Sequence, residues 1–218
     1  MTTSLKIDFV SDVSCPWCAI GLGSLQLALE KVAPGIQAEL RFQPFELNPD
    51  MPAGGEDTTE HLTKKYGSTP EQQAQIRENI RQRGAAVGFE FRREGRDRIY
   101  NTFDAHRLLH WAELEGAAKQ QALKKALLKA YFTDGKSPEE HAVLVAAAVE
   151  AGLDGERARQ VLEGGEFTAE TRARERFYLG AGINSVPAII LNDKHLISGG
   201  QPVEVFEQAL RQIAASGG

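Results

Sequence analysis

The chain has 218 residues, 42% of them apolar, and a formal net charge of −5 with lysines and arginines mixed among the acids. That length and composition support a substantial core in one domain, or in one domain with a large insertion, and the charge balance speaks against nucleic acid or another polyanion as partner. No apolar run approaches the ~20 residues needed to span a bilayer, and the start MTTSLKIDFVSD meets acids before a signal-peptide core could form, so a cytoplasmic setting is expected.

Leu5 to Val10 alternates as LKIDFV and predicts a strand; Ile20, Leu25, Leu27 and Leu29 then give Pro16 to Val32 helical spacing. Ala38 to Phe45, AELRFQPF, alternates again, with Pro44 marking an edge or a strand terminus. After NPDMPAGGED the chain reads as roughly six helices to about Gly182. Capping boxes with proline at the first helical position are expected at Thr69-Pro70-Glu71-Gln72 and at Ser137-Pro138-Glu139-Glu140. Within this stretch Ala105, Leu108, Leu109 and Ala112 form one apolar face, and HAVLVAAAVEAG is apolar enough to predict a largely buried helix ending at Gly152. Strands return in VPAIILN and KHLISGG, and a last helix runs from Pro202 to about Ala215. The order is β-α-β, a helical block, then β-β-α, an α/β chain whose joints are NPDMPAGGED and GAGINS.

The two cysteines, Cys15 and Cys18, enclose Pro16 and Trp17 where the first strand hands over to the first helix. Unpaired N–H groups and the partial positive charge of a helix start favour a thiolate there. Cys15 is therefore the expected nucleophile, ionising below an unperturbed thiol, and Cys18, one turn on, the resolving thiol. Structural zinc usually takes four ligands and no third cysteine exists, while the i, i+4 spacing of His106 and His110 arises on any amphipathic helix, so no metal is expected. The remaining alternative is that both thiols are buried packing groups.

SCPWCAIG, FQPFELNPDMP, YNTFDAHRLLHWA, GINSVPAIILN and ISGGQP, in this order, resemble the DsbA-like branch of the thioredoxin superfamily, most closely the FrnE-type dithiol oxidoreductases. The resemblance implies a thioredoxin fold interrupted by an all-helical insertion, with residues 1–50 and 183–218 as the thioredoxin-like domain and 51–182 as the insertion. It places the attacking cysteine on Cys15, the resolving cysteine on Cys18 and a cis-proline on Pro187, with the Val186 backbone free to pair with an extended peptide or glutathione. Relatives often keep a buried acid under the dithiol as a proton relay, for which Asp12 or Asp8 is the candidate; Asp12 could equally cap the first helix. Kappa-class glutathione transferases and 2-hydroxychromene-2-carboxylate isomerases share the inserted block but typically carry serine in place of Cys15, so the cysteine pair favours dithiol exchange.

Gly199, Gly200 and Gln201 precede the last helix, where free N–H groups could hold the carboxylate of glutathione or simply cap the helix. Asn101 and Thr102 are candidate caps, and Phe103, His106, His110 and Trp111 candidate walls of a substrate groove, with core packing the alternative for Trp111. The expected partners are protein or small-molecule thiols and disulfides. Glutathione is a possible co-substrate, no cofactor is tightly held, and the kappa-class resemblance implies a homodimer. Two other readings stay open: a glutathione-dependent transferase or isomerase, and a redox-gated peptide-binding protein or chaperone.

Overall fold

A computed structural model describes residues 3–216. Strand β1, Thr3–Ser11, leads into helix α1, Pro16–Val32, and the chain returns in β2, Ile36–Pro44, parallel to β1 with Phe9 opposite Phe42. Next come β3, Glu56–Asp57; α2, Thr58–Tyr66; α3, Pro70–Ala86; and β4, Arg98–Ile99. Five helices follow: α4, Phe103–Glu115; α5, Ala117–Phe132; α6, His141–Glu150; α7, Gly155–Glu163; and α8, Thr168–Gly180. The chain closes with β5, Ala188–Leu191; β6, His195–Ser198; and α9, Val203–Ala215. The main sheet has the order β2-β1-β5-β6, with β5 antiparallel to both β1 and β6. Pro44 thus ends a strand at the sheet edge, where its missing N–H leaves no ladder bond unmade.

Strand alternation sorts β1 between two environments. Leu5, Ile7 and Phe9 meet α1 and α9, whose Phe206, Leu210 and Ile213 are buried at i, i+4 and i+7. Val10, on the other face, packs with Ala188, Tyr178 of α8 and Ile183. A second core lies among α4, α5, α6 and α7, built on Leu108, Leu123, Leu127, Leu144 and Val161. Helix α5 serves both cores: Leu123 and Leu127 face the helical one, Leu128 and Tyr131 the sheet. Val13, in the turn between β1 and α1, inserts into the helical core and ties that turn to the insertion.

The capping box at Thr69 forms: the Gln72 N–H donates to Thr69 Oγ1 at 3.3 Å, and the Thr69 N–H to Gln72 Oε1 at 2.9 Å. The one expected at Ser137 does not. Ser137 Oγ instead accepts from the Glu139 N–H at 3.3 Å in a local turn, and α6 starts at His141 with no side-chain cap. The chain stays in that turn until Glu140, extended at φ −73° and ψ 120°, precedes α6. Among the described residues the block between β2 and β5 holds seven helices rather than six. The addition, α2, lacks a clear apolar period and depends on its ends: Asp57 accepts from the Glu60 N–H at 3.0 Å, and Gly67 closes it at φ +68°. The β3–β4 ribbon that brackets α2 and α3 is likewise too short to leave a period-two pattern. Helix α6 is buried along Leu144, Ala147 and Ala148 alone, leaving Val149 57% exposed, because it covers the helical core from outside. No helix among the described residues is long and apolar enough to cross a membrane.

Candidate active site

Asp12, Val13 and Ser14 form the turn that follows β1, and Cys15 is the N-cap residue of α1, extended at φ −93° and ψ 112° with Pro16 next. No side chain caps this helix start, so its first-turn N–H groups face the sulfurs' neighbourhood. Cys15 is 3% exposed and Cys18 fully buried; both are free thiols. The Cys18 thiol donates toward the Cys15 sulfur, and this bond, aided by the Arg96 charge, holds Cys15 below the ordinary thiol value against the effect of burial. Burial, reinforced by Cys15, pushes Cys18 well above it. The pair is therefore polarised, with the outer sulfur ionising first.

Beside the dithiol the Val186–Pro187 peptide bond is cis, as is Ala33–Pro34. The Cys15 thiol donates to the Val186 carbonyl oxygen at 3.6 Å, and the Gly199 N–H donates to the Pro187 carbonyl at 2.8 Å. Two glycines allow this approach: a Cβ at Gly21 would stand 3.2 Å from Pro187 Cγ and from Gly200 Cα, and one at Gly200 would stand 2.8 Å from the Trp17 carbonyl. A cleft of about 660 Å³ opens over Cys15, walled by Trp17 and Val186 and, from the insertion, by Leu62, Ile80 and Phe91. A second recess of about 720 Å³ shares Trp17 and Val186 and adds Gly199, Gly200 and Gln201. Arg83 stands in it, 5.0 Å over the Trp17 ring, donating to the Gly200 carbonyl at 2.7 Å.

The floor of the site is polar and buried. Asp12 accepts from the Ser14 N–H (3.1 Å), the Ser14 hydroxyl (2.9 Å) and the Leu47 N–H (2.7 Å), and its Oδ1 lies 3.5 Å from His106 Nε2. Burial works to raise its pKa, but His106 and the two backbone N–H groups outweigh it and lower the carboxyl to about 2. Asp12 thus serves as the hydrogen-bonded anion of the turn before α1, and it does not cap that helix. Asp8 serves elsewhere, accepting from Gln43 Nε2 at 2.6 Å and pairing with Lys6 at 3.2 Å.

Three charged groups of this site carry no sequence signal. Arg96 donates to the Ser14 carbonyl and lies about 6 Å from the Tyr131 and Phe132 rings, at 5.9 and 5.8 Å. Lys124 of α5 is 1% exposed, its Nζ without a hydrogen-bond partner and 5.9 Å over the Phe42 ring. Glu46 lines the cleft, and Arg172 donates to both Glu46 and Glu175. Burial and the Glu175 charge push Glu46 up to about 6.

The groove walls expected from NTFDAHRLLHWA lie elsewhere, since none of them borders the cleft. Asn101 Oδ1 accepts from the Phe103 N–H at 2.9 Å and shapes the start of α4; the Phe103 ring lies under Arg172 at 3.6 Å. His106 is buried behind Asp12, His110 stacks on Phe167 at 5.3 Å, and Trp111 belongs to the helical core. The apolar stripe of α4 faces its helical neighbours, which turns these residues away from the cleft. Among the described residues no group of three or more His, Cys, Asp and Glu side chains is placed to hold a metal.

The profile of the DsbA-like thioredoxin domain matches residues 6–211. The crystal structure of a probable DsbA oxidoreductase from Streptomyces coelicolor is 35% identical and superposes with a TM-score of 0.87, covering 97% of this chain and 90% of that one. Two more distant structures share the fold. A 2-hydroxychromene-2-carboxylate isomerase is 14% identical with a TM-score of 0.68, over 97% of either chain. The cytosolic disulfide reductase DsbM from Pseudomonas aeruginosa, with GSH, is 17% identical with a TM-score of 0.63, over 95% of this chain and 98% of that one. No curated protein sequence matches the chain.

Proposed function

This chain belongs to the DsbA-like thioredoxin family, and on that premise we propose that it exchanges disulfides through Cys15 and Cys18, as a FrnE-type oxidoreductase. One observation carries the reading: the Cys15 sulfur, at the start of α1 and 3.6 Å from the carbonyl before cis-Pro187, opens onto the cleft with Cys18 sealed beneath it. A Cys15 thiolate attacks one sulfur of a substrate disulfide; a Cys15–substrate bond forms, and the other sulfur leaves with the bond's electron pair. Cys18 then attacks the Cys15 sulfur, closing the intramolecular disulfide and releasing the substrate as a thiol. Run backwards, the same steps oxidise a substrate dithiol. The Val186 backbone would pair with an extended substrate beside the attacking sulfur.

Glutathione is the small thiol we propose as co-substrate. Its support is the recess at Gly199, Gly200 and Gln201, which shares Trp17 and Val186 with the cleft and holds the Arg83 cation for a carboxylate. The proposed setting is the cytoplasm, where a glutathione pool returns the pair to its dithiol form.

The test is equilibration in glutathione redox buffers, following Trp17 fluorescence. The expected result is a two-electron transition between roughly −120 and −280 mV, the span of dithiol catalysts, with turnover of a disulfide substrate at substoichiometric protein. Failure to form the Cys15–Cys18 disulfide, with only a glutathione adduct on Cys15, would move the transferase or isomerase reading ahead. Binding of peptide without turnover would favour a redox-gated binding protein.

A further inference from the structure

Disulfide exchange as described leaves one buried charge of the insertion without a role. Lys124 of α5 is fully enclosed, its Nζ lies 5.9 Å over the ring of Phe42, a member of the core that holds Cys15 and Cys18, and it meets no hydrogen-bond acceptor. One turn earlier on the same face, Gln120 accepts from the Phe42 N–H and donates to the Phe42 carbonyl, each at 2.9 Å. That pair of hydrogen bonds to β2 fixes this face of α5 against Phe42, which shares one packed core with Phe9 and Cys18. A buried ammonium without a partner is destabilising, and an apolar side chain of similar volume would serve packing better. The position lacks an anion in hydrogen-bond contact; the Asp12 charge reaches it only through space. Asp12 is committed to Ser14, Leu47 and His106. The group that becomes an anion only during the reaction is Cys18.

Resting on the dithiol reading above, we propose that Lys124 is a positioning residue for Cys18, its charge stabilising the buried Cys18 thiolate as it attacks the Cys15 sulfur of a mixed disulfide. In that step Cys18 Sγ bonds to Cys15 Sγ and its proton is released to solvent in the cleft, so that one proton passes in net from Cys18 to the departing substrate sulfur. The bond from Cys15 Sγ to the substrate sulfur breaks, its electron pair leaves with the substrate, and the substrate thiolate takes up a proton from the cleft. No other oxidant or reductant is required.

The remaining titratable and charged groups around the pair are Cys15 at the N-cap of α1, Asp12 in the turn before it, His106 on α4, Tyr131 on α5 and Arg96 ahead of β4. Asp12 is a fixed anion, and the Tyr131 hydroxyl donates to the Arg98 carbonyl at 2.7 Å. Of the cations, Arg96 acts on Cys15 and Lys124 on Cys18. The effect is reciprocal: Cys18, Asp12 and Cys15 oppose the fall that burial imposes on the Lys124 ammonium.

Stopped-flow mixing of the reduced protein with glutathione disulfide separates adduct formation on Cys15 from the Cys18 attack, read as quenching of Trp17. In Lys124→Met the second phase should slow about ten-fold at pH 7 and its pH midpoint rise by about one unit, because one unit of thiol pKa is ten-fold in thiolate. The first phase should change by less than about two-fold, since the charge acts on the inner thiol. The thermal midpoint should hold or rise, as the variant removes an unpaired buried amine, whereas a purely structural lysine would leave the variant less stable. A folded Lys124→Met with an unaltered second phase and pH midpoint overturns the proposal.

A second measurement leaves Lys124 in place. The ε-carbon NMR titration of Lys124 should move to lower pH in Cys18→Ser, and an unmoved midpoint overturns the proposal even where Lys124→Met does not fold. Absence of any second phase in the unaltered protein would instead sink the dithiol reading itself.

Discussion

Asp12→Asn separates the two effects of the one carboxylate sealed behind the dithiol. The carboxylate accepts three donors on two oxygens, from the Ser14 N–H and hydroxyl and the Leu47 N–H. Asparagine keeps one oxygen, so at least one of these buried donors loses its acceptor, which costs about 1–3 kcal/mol. A separate route gives a similar figure. The fall from the ordinary 3.8 to about 2 corresponds to about 2.5 kcal/mol, at roughly 1.4 kcal/mol per unit. Because the folded-state pKa is the lower one, this stabilisation is present above about pH 4 and is lost as pH falls through about 2. Urea unfolding of the variant and the unaltered protein at pH 7, 4 and 2.5 reads it directly. The expected gap is about 2 kcal/mol at pH 7, narrowing below pH 4. A gap under about 0.5 kcal/mol, the size of an ordinary surface change, or one that is constant down to pH 2.5, refutes the reasoning. The same variant should ionise Cys15 at lower pH, since the Asp12 charge opposes the Cys15 thiolate. A less stable protein with a more acidic nucleophile is the joint signature.

Three further outcomes follow from the same geometry. Arg96→Met removes the cation that favours the Cys15 thiolate, so alkylation of Cys15 by iodoacetamide at pH 7 should slow by up to about ten-fold, one unit of pKa; an unshifted pH–rate profile contradicts this. Gly200→Ala puts a Cβ 2.8 Å from the Trp17 carbonyl and forces the cis-proline side of the site off α1; a loss of about 1–3 kcal/mol in urea is expected, with slower disulfide exchange, and an unaffected variant would show that the loop yields freely. Glu46 is pushed up to about 6 by burial and the nearby Glu175, so the folded state holds its proton more tightly and the unaltered protein loses stability as pH rises from the usual carboxyl range through about 6. Glu46→Gln should remove that loss, and thermal midpoints with the same slope from pH 5 to 7 in both proteins would contradict it.

Local spacing was enough for the elements that carry the dithiol. Period two in LKIDFV, helical spacing after Pro16 and the Thr69 box each depend on neighbours a few residues away, and each appears where its pattern stands. The position of Cys15 and Cys18 at a strand-to-helix junction is of the same kind. The approach of Val186 and Pro187 to Cys15 spans 171 residues of sequence; the resemblance of GINSVPAIILN to a family motif pointed to it, while spacing alone did not. The short α2 and the β3–β4 ribbon left no period to read. The apolar face of α4 was legible in Ala105, Leu108, Leu109 and Ala112, but what the flanking His106 and Phe103 meet is decided by how that face packs against α5 and α7.

The charges of the site were the least legible. Arg96 and Glu46 sit in polar stretches where charge is the default, and their burial beside the dithiol arises from chain segments meeting across the insertion. Lys124 and Lys125 make the physical reason plain. They are identical in type and adjacent in sequence, and any pattern that calls one solvated calls both so. Docking of α5 on β2 buries Lys124 over the Phe42 ring and leaves Lys125 exposed, because burial is decided by what a helix face meets and not by the residue it carries.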